Sequence, residues 1–181
     1  FSYLGIAPDE ERALERKIKA GLKSDILIVS GGVSAGDFDL VPKILEKCGV
    51  KKVFHKLPIK PGKPVFFGMK GRTLVFGAPG NPVAVFLMFT VFVLPSICRI
   101  MGRPKPLHAR GGTLSADFKQ KPGRMHFVPA VTGSSGASIS AVKGYHGSAD
   151  IASLARADAF MIVEAGVSCL RRGARVEYIK W

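Results

Sequence analysis

Apolar side chains recur at four-residue spacing near the start of the chain, after an acidic opening that contains a proline. Residues 8–11 suit the first turn of a helix, because proline fits that position and carboxylates favour the positive end of the helix dipole. Leu14, Ile18 and Leu22 then form one apolar stripe. The nearly all-apolar run at 25–30 comes next and predicts a strand covered on both faces.

A glycine-rich segment, residues 31–39, leads from that strand into a second predicted helix, from Leu40 to Cys48. Helix, strand, glycine loop and helix in this order predict an α/β layer with parallel strands. Further elements are expected as follows: strands at 52–59, 65–69 and 73–77, a tight turn at 70–72, and a long apolar helix at 83–101. The uncharged stretch 83–97 is shorter than the ~18–20 apolar residues of a membrane-spanning helix, which favours a buried helix.

The pattern changes after residues 102–106, a linker rich in glycine and proline. Short β-favouring runs follow, separated by glycine-rich turns: 125–131, 138–142, 159–163 and 175–181. This spacing predicts a small antiparallel barrel or sandwich in which only 151–157 is helical. We therefore predict two domains, 1–102 and 103–181.

Charge and cysteine content narrow the possible partners. The 181 residues include 27 Lys or Arg against 13 Asp or Glu, which gives a net charge of +14 and a pI near 10.1. This balance favours an anionic partner, such as a nucleic acid, an acidic membrane surface or a phosphorylated small molecule, but a generally basic surface explains it equally well. Cys48, Cys98 and Cys169 have neither zinc-site nor disulfide-framework spacing, which favours reduced thiols in a cytoplasmic protein.

The glycine-rich segment is the first candidate site. Gly31, Gly32 and Gly36 allow backbone N–H groups to converge on an anion at the carboxyl end of a strand, and Ser34 adds a hydroxyl donor. A tight turn between strand and helix would need glycines as well. Both interpretations remain open from the sequence.

Two carboxylates, Asp37 and Asp39, lie on the same segment. They would repel an anion unless a divalent cation bridged them to it, so they are predicted metal ligands. The alternative is that Asp39 caps the following helix. One residue can be the cap while the other is a ligand.

A second candidate is the proline-rich segment that contains Lys56, Lys60 and Lys63. On a straight strand Lys56 and Lys60 would point to one face, since their separation is even. Rigidly presented cations suit phosphate or another oxyanion. A solvated basic loop is the alternative.

A third candidate is the loop formed by Pro79, Gly80, Asn81 and Pro82, which either lines a pocket or serves only as a rigid turn before a helix. Farther along, Ser148 is predicted to cap the helical stretch at 151–157. The four histidines are scattered and form no catalytic triad in the sequence.

The order and separation of segments 30–39, 59–64 and 77–83 resemble the MoeA family, the molybdopterin molybdenumtransferases, of which gephyrin's E domain is the animal relative. Residues 147–148 and 153–155 resemble the C-terminal domain of that family. The resemblance covers essentially the whole chain. It implies an α/β fold in which an N-terminally incomplete, MogA-like α/β/α molybdopterin-binding domain precedes a small C-terminal β-barrel domain.

The resemblance also implies an activity, namely insertion of molybdate into adenylylated molybdopterin with release of AMP and with Mg²⁺ as the divalent cation. It implies three catalytic residues: Asp39, Lys56 and Lys60. The implied substrate-binding residues are Gly31, Gly32, Ser34, Gly36, Lys63, Pro79, Gly80, Asn81, Pro82 and Ser148. Asp37 and Asp39 are the implied metal ligands.

Two features depart from the family pattern. Pro129 stands where the family commonly has an arginine, so Arg124 or another cation would have to substitute for it. The family also carries N-terminal domains that mediate dimerisation and contribute to the site. We therefore expect a homodimer of the full-length protein, contact with a MogA-type adenylyltransferase, and no insertion activity for this chain alone.

Three hypotheses follow for the chain as a whole. The first is a part of the molybdenum-insertion enzyme, with neither nucleic acid nor membrane as partner. The alternatives are a basic nucleic-acid-binding module, which predicts affinity that falls steeply with salt, and a non-catalytic scaffold. AMP release from adenylylated molybdopterin and molybdate by this chain alone would contradict its expected inactivity.

Overall fold

The computed structural model describes residues 1–33, 39–104, 108–134, 136–147 and 149–181. Its helices are α1 (Glu11–Gly21), α2 (Leu40–Lys47), α3 (Pro82–Met88), α4 (Leu94–Ile100) and α5 (Ile151–Arg156). Its strands are β1 (Ile26–Ser30), β2 (Lys51–His55), β3 (Ile59–Lys60), β4 (Phe66–Lys70), β5 (Thr73–Ala78), β6 (Ala109–Leu114), β7 (Phe118–Lys119), β8 (Met125–Thr132), β9 (Ser138–Ala141), β10 (Ala159–Val163), β11 (Cys169–Leu170) and β12 (Arg175–Lys180).

Two compact units account for these elements. Unit 1 comprises Phe1–Leu57 and Gly62–Gly80, and unit 2 comprises Pro58–Pro61 and Asn81–Trp181. The two units interleave along the chain, so that α3 and α4 belong to the same unit as β6 to β12. The boundary at residue 103 remains a prediction.

Unit 1 contains a four-stranded sheet in the order β1-β5-β4-β2. Strand β1 is parallel to β5, whereas β4 is antiparallel to both β5 and β2. The expected parallel arrangement therefore holds for β1 with β5, and the turn predicted at 70–72 joins the antiparallel pair. Helices α1 and α2 contribute Leu14, Ile18, Ile44 and Leu45 to the core beneath this sheet. The sequence predicted both helices and β1 from local signals, among them the four-residue spacing of apolar residues in α1 and the apolar run of β1.

Strand β1 is less covered than its apolar run predicted. Leu27 is buried, but 43% of Ile28, on the opposite face, is exposed. In the described residues β1 pairs with β5 on one side only and lies at an edge of the sheet. The expectation of a strand covered on both faces is therefore wrong for this chain.

The single strand predicted at 52–59 is also wrong. Strand β2 ends at His55, and the next residue, Lys56, has a φ of +73°, in the left-handed region that interrupts a strand. Strand β3 then begins at Ile59 and joins the sheet of the other unit, where it pairs in parallel with β8. The even-spacing argument for Lys56 and Lys60 fails because the two residues are not on one straight strand.

Unit 2 is built around a closed five-stranded barrel. The strands follow the order β10-β12-β6-β9-β8, and pairing of β10 with β8 closes the ring. The packed interior includes Leu114, Val128, Ile139, Met161 and Tyr178. A second cluster contains Val83, Leu87, Phe127 and Phe160, which brings α3 against the wall of the barrel. The predicted barrel is confirmed, but it is not wholly antiparallel, because β6 and β9 pair in parallel. The sequence pattern also missed β6, whose Arg110, Gly111 and Gly112 show no alternation.

The long apolar helix is continuous but changes geometry along its length. A π-helical turn at Phe89–Val93 separates α3 from α4. Helix α3 buries four residues, whereas α4 buries none, so the prediction of a buried helix is correct only for the first part. The stretch Pro82–Ile100, with 19 residues and a mean hydropathy of 2.2, meets the length and composition of a membrane span, and 33% of its most apolar part is buried. Core helices of soluble proteins meet the same criteria, so this is weak evidence for a membrane.

Candidate functional site

Three strands of the unit 1 sheet have their carboxyl ends on the same side of the sheet, which we call its carboxyl edge. Strands β1, β5 and β2 run in the same direction, because β4 is antiparallel to both β5 and β2. At this edge Ser30 pairs with Ala78, and the Gly31 N–H donates to the Ala78 carbonyl at 3.0 Å. The turn formed by Gly31 and Gly32 therefore lies beside the start of the loop that contains Pro79 and Gly80. Ligands of open α/β sheets bind at such carboxyl edges.

The geometry of Gly31 and Gly32 explains why both are glycine. Their φ angles are +86° and +64°, which other residues rarely adopt. A Cβ on Gly32 would also lie 2.9 Å from Cγ2 of Val41. The turn itself therefore requires both glycines, and anion binding there remains a prediction. Ser34, Gly36 and Asp37 fall outside the described residues.

Lys56 follows β2 at the same edge and is exposed. Its N–H donates to the Val65 carbonyl at 3.0 Å, and the Leu57 N–H donates to the Lys63 carbonyl at 2.8 Å. The preceding His55 donates from Nε2 to the Val33 carbonyl at 2.9 Å, which joins the end of β2 to the turn after β1. Main-chain hydrogen bonds, as well as prolines, therefore hold this lysine-bearing segment in place.

Asp39 occupies the N-cap position of α2, but its side chain forms no capping hydrogen bond. Asp39 is therefore the N-cap that the sequence offered as the alternative, but by backbone position only, since its side chain does not bond to the helix N–H groups. Within the described part of the chain, no three His, Cys, Asp or Glu residues cluster closely enough to hold a metal ion. Mg²⁺ commonly binds through one or two protein carboxylates and the phosphates of a substrate, so Asp39 fits a cation that is shared with a ligand.

In unit 2, Asn81 is the N-cap of α3. Its Oδ1 accepts hydrogen bonds from the N–H groups of Val83 at 2.9 Å and Ala84 at 3.2 Å, and Pro82 begins the helix. The rigid-turn interpretation therefore explains Asn81, and contact of this loop with a ligand remains a prediction.

The sequence predicted Ser148 as the cap of helix α5. In the structure the N-cap is Asp150. The Asp150 carboxylate accepts from the N–H of Ser153 at 2.9 Å, its hydroxyl at 2.5 Å, and the N–H of His146 at 3.1 Å. These bonds, with the Ser153 hydroxyl first, lower the pKa of Asp150 to about 2. Ser148 itself is outside the described residues.

This cap should make stability depend on pH. Because the folded pKa of Asp150 is depressed from 3.8 to about 2, its contribution is present above about pH 4 and is lost as the pH falls towards 2. We expect Asp150→Asn to lower the midpoint of thermal unfolding at pH 7 and to have a progressively smaller effect below pH ~4. Circular dichroism melts of both proteins across this range test it, and a difference that stays constant down to pH ~2 would contradict it.

An open cleft of about 670 Å³ lies on the barrel of unit 2, next to β3. It is lined by Lys60, Ala116, Asp117, Phe118, Lys119, Gln120, Lys121, His126, Ser140, Ala141, Val142, Lys143, Gly144, Tyr145, His146 and Gly147. Lys60 is thus the one predicted catalytic residue that lines it. We call it the cationic cleft, after the lysines at positions 60, 119, 121 and 143.

The charge of the cationic cleft favours anions. Among the described lining residues, the only carboxylate is Asp117, which accepts from Arg171 Nη1 and the Arg172 N–H, each at 2.8 Å. The Arg172 N–H, followed by Arg171, lowers the pKa of this carboxyl. The lysines therefore face no unneutralised carboxylate of the described lining.

Sequence reasoning missed His126, which is buried in β8. Burial first, and then the charges of Lys60 and Arg124, lower its pKa to about 4. Its burial depends on closure of the barrel, so the only sequence signal was its place within an apolar strand.

Arg124 donates to the Ile59 carbonyl at 3.1 Å, beside the strand of Lys60, whereas Pro129 is buried.

Comparison with known families agrees with this arrangement. Residues 1–99 match a family described as "Probable molybdopterin binding domain", and residues 112–181 match "MoeA C-terminal region (domain IV)". The predicted order of an α/β molybdopterin-binding domain and a C-terminal barrel domain is confirmed.

Individual relatives agree as well. A molybdopterin molybdenumtransferase of Bacillus subtilis is 34% identical over 98% of the chain and 42% of its own length. Gephyrin of Dictyostelium discoideum is 39% identical over 56% of the chain and 16% of its own length. The structure of a molybdopterin biosynthesis MoeA protein from Pyrococcus horikosii has a TM-score of 0.79 and 26% identity over 98% of the chain and 42% of that protein.

The chain therefore spans about two fifths of the length of these full-length bacterial and archaeal relatives. Its match to the molybdopterin-binding profile covers more than half of its residues. On this basis the chain belongs to the MoeA family, the molybdopterin molybdenumtransferases.

Proposed function

We propose that this chain is the part of a molybdenum-insertion enzyme that holds adenylylated molybdopterin and molybdate. The observation that supports this most is the convergence of the glycine turn, Lys56 and the Pro79–Gly80 loop at the carboxyl edge of one sheet. This edge is where α/β sheets bind ligands, and the chain belongs to a family named for molybdopterin. The reaction would transfer molybdate to the dithiolene of the pterin with release of AMP.

In this proposal the lysines bind the oxyanions. Lys56 and Lys60 would supply positive charge to phosphate and molybdate oxygens. Lys63 and the loop of Pro79, Gly80, Asn81 and Pro82 contact the substrate, together with Gly31 and Gly32. Ser34, Gly36 and Ser148 complete the proposed binding set. The charge of the cationic cleft supports Lys60, since charge-assisted hydrogen bonds are stronger than neutral ones.

The proposed cation is Mg²⁺, held by Asp39 and by Asp37. Bound there, it would neutralise charge on the phosphate that leaves as AMP. Asp39 stands at the start of α2, and its carboxylate forms no capping hydrogen bond with that helix. The homodimer of the full protein, contact with a MogA-type adenylyltransferase and a cytoplasmic location remain predictions.

The metal role of Asp39 gives a direct prediction. Mg²⁺ should strengthen binding of adenylylated molybdopterin to the chain, and Asp39→Asn should remove this dependence, because an amide does not balance the cation's charge. Calorimetric titrations with Mg²⁺ or with EDTA measure the effect. Asp25→Asn, which changes a carboxylate at the other end of β1, serves as the control. Equal Mg²⁺ dependence in the wild type and Asp39→Asn would contradict the assignment.

The function itself is tested by anaerobic binding of molybdopterin with a short RNA as competitor. We expect saturable pterin binding that the RNA does not displace. The competing nucleic-acid hypothesis predicts RNA binding that weakens steeply with salt and no pterin binding. That second result would refute the proposed function.

A further inference from the structure

His126 is a buried residue of β8 whose two ring nitrogens are both hydrogen-bonded. Only 2% of it is exposed. Nδ1 lies 2.7 Å from Oε1 of Gln120, and Nε2 lies 2.9 Å from the hydroxyl oxygen of Tyr145. All three side chains line the cationic cleft.

The hydrogen bonds of Gln120 determine which groups donate and which accept in the row of bonds from Gln120 through His126 to Tyr145. Nε2 of Gln120 donates to the Val167 carbonyl at 2.8 Å, so its Oε1 faces His126 and can only accept. Nδ1 of His126 therefore carries the proton. In the neutral ring, Nε2 then accepts from the Tyr145 hydroxyl.

The surroundings keep both His126 and Tyr145 uncharged near neutral pH. Burial first, and then the positive charges of Lys60 and Arg124, lower the pKa of His126 to about 4. Burial and the charge of Asp150 raise the pKa of Tyr145 to about 12. The Phe118 ring, 6.4 Å from the imidazole between centroids, adds no charge.

This chain of hydrogen bonds joins two parts of the cationic cleft. Through its backbone, His126 is the register partner of Lys60, since β3 pairs in parallel with β8. Through its ring it holds Tyr145, which belongs to the loop 143–147. In the sequence that loop leads into Ser148, which belongs to the proposed binding set.

We propose that His126 is a positioning residue: its neutral imidazole, oriented by Gln120, holds Tyr145 so that the loop 143–147 and Lys60 face the same anionic ligand. The inference rests on the proposed function for the identity of that ligand. The ordering of the loop does not depend on it.

Hydrogen exchange of the free protein tests the ordering. Tyr145→Phe should speed amide exchange at residues 145 and 146 about fivefold, the factor expected for loss of one ordinary hydrogen bond. Tyr178→Phe is the matched control, because it removes a buried tyrosine hydroxyl that donates to the Gly136 carbonyl at 2.7 Å elsewhere in the barrel. Unchanged exchange at 145 and 146 in Tyr145→Phe, or equal acceleration there in the control, would overturn the proposal.

A pH profile separates positioning from simple support of the fold. In Gln120→Glu a carboxylate would favour the imidazolium and raise the pKa of His126, and Nε2 would then become a donor to Tyr145. Pyrophosphate titrates in this range with either protein, so the two profiles are compared with each other. We expect the ratio of the variant's affinity for inorganic pyrophosphate to that of the wild type to change between about pH 5 and 8. NMR titration of His126 gives its protonation in both proteins.

Equal pH profiles for pyrophosphate binding, despite a raised His126 pKa in the variant, would overturn the proposal. The exchange experiment needs no substrate, so its failure concerns His126 alone. Failure of molybdopterin binding with intact loop protection would instead concern the proposed function.

Discussion

Lys60→Ala is expected to weaken binding of adenylylated molybdopterin by about tenfold to a hundredfold, the range for loss of one charge-assisted hydrogen bond. Pairing of β3 with β8 holds the backbone of Lys60, so the ammonium is presented with little loss of backbone entropy. The other lysines of the cationic cleft add to the attraction but do not replace that position. Anaerobic fluorescence titration at fixed ionic strength measures the change.

Lys70→Ala is the matched control for Lys60→Ala. Lys70 lies at the hairpin between β4 and β5, at the end of the sheet opposite the glycine turn. Lys70→Ala removes the same charge from the protein as Lys60→Ala does. We expect it to change the affinity for adenylylated molybdopterin by no more than twofold. Equal losses in both variants would mean that overall charge, and not Lys60, determines affinity.

Phe160→Ala is expected to lower the free energy of unfolding by about 3–5 kcal/mol. The side chain is fully buried and packs with Val83, Leu87 and Phe127. Its ring centroid lies 4.8 Å from that of Trp181 and 6.0 Å from that of Phe86. Removing the ring leaves a cavity on the outer wall of the barrel while the backbone pairing of β10 remains possible.

Urea unfolding followed by fluorescence measures this loss, because Trp181 is the one tryptophan of the chain and contacts Phe160. Phe160→Leu should cost less, since it keeps part of the apolar volume. Val131→Ala is the control on β8: its side chain is 41% exposed, and we expect a change within about 0.5 kcal/mol. A loss for Phe160→Ala as small as that of the control would contradict the packing argument.

Most elements could be predicted because their signals are local. The stripe of Leu14 and Ile18 predicted α1, and short β-favouring runs between glycine-rich turns predicted β8 and β12. The same reasoning failed where neighbours in space decide the outcome. A left-handed Lys56 ended one expected strand, and β6, with two glycines, forms a strand because β12 pairs along it.

The candidate site divides in the same way. The motifs around Gly31, Lys56, Lys60 and Pro79 were evident from the sequence, since residue type and spacing carry their chemistry. The capping residues were not, because Asn81 and Asp150 were identified only by the N–H groups that their side chains reach. His126 gave one signal only, its place within an apolar strand, since both of its hydrogen-bond partners lie outside that strand.

The sequence by itself thus determined the family, the order of the α/β and barrel parts, and the residue types that can hold an anion. Only the tertiary structure decided that β1, β5 and β2 end at one edge, and that Lys60 shares a cleft with a buried imidazole. The physical reason is the range of the interactions. Periodicity, turns and motifs depend on neighbours along the chain, whereas strand direction, burial and pKa depend on groups that folding brings together from distant positions.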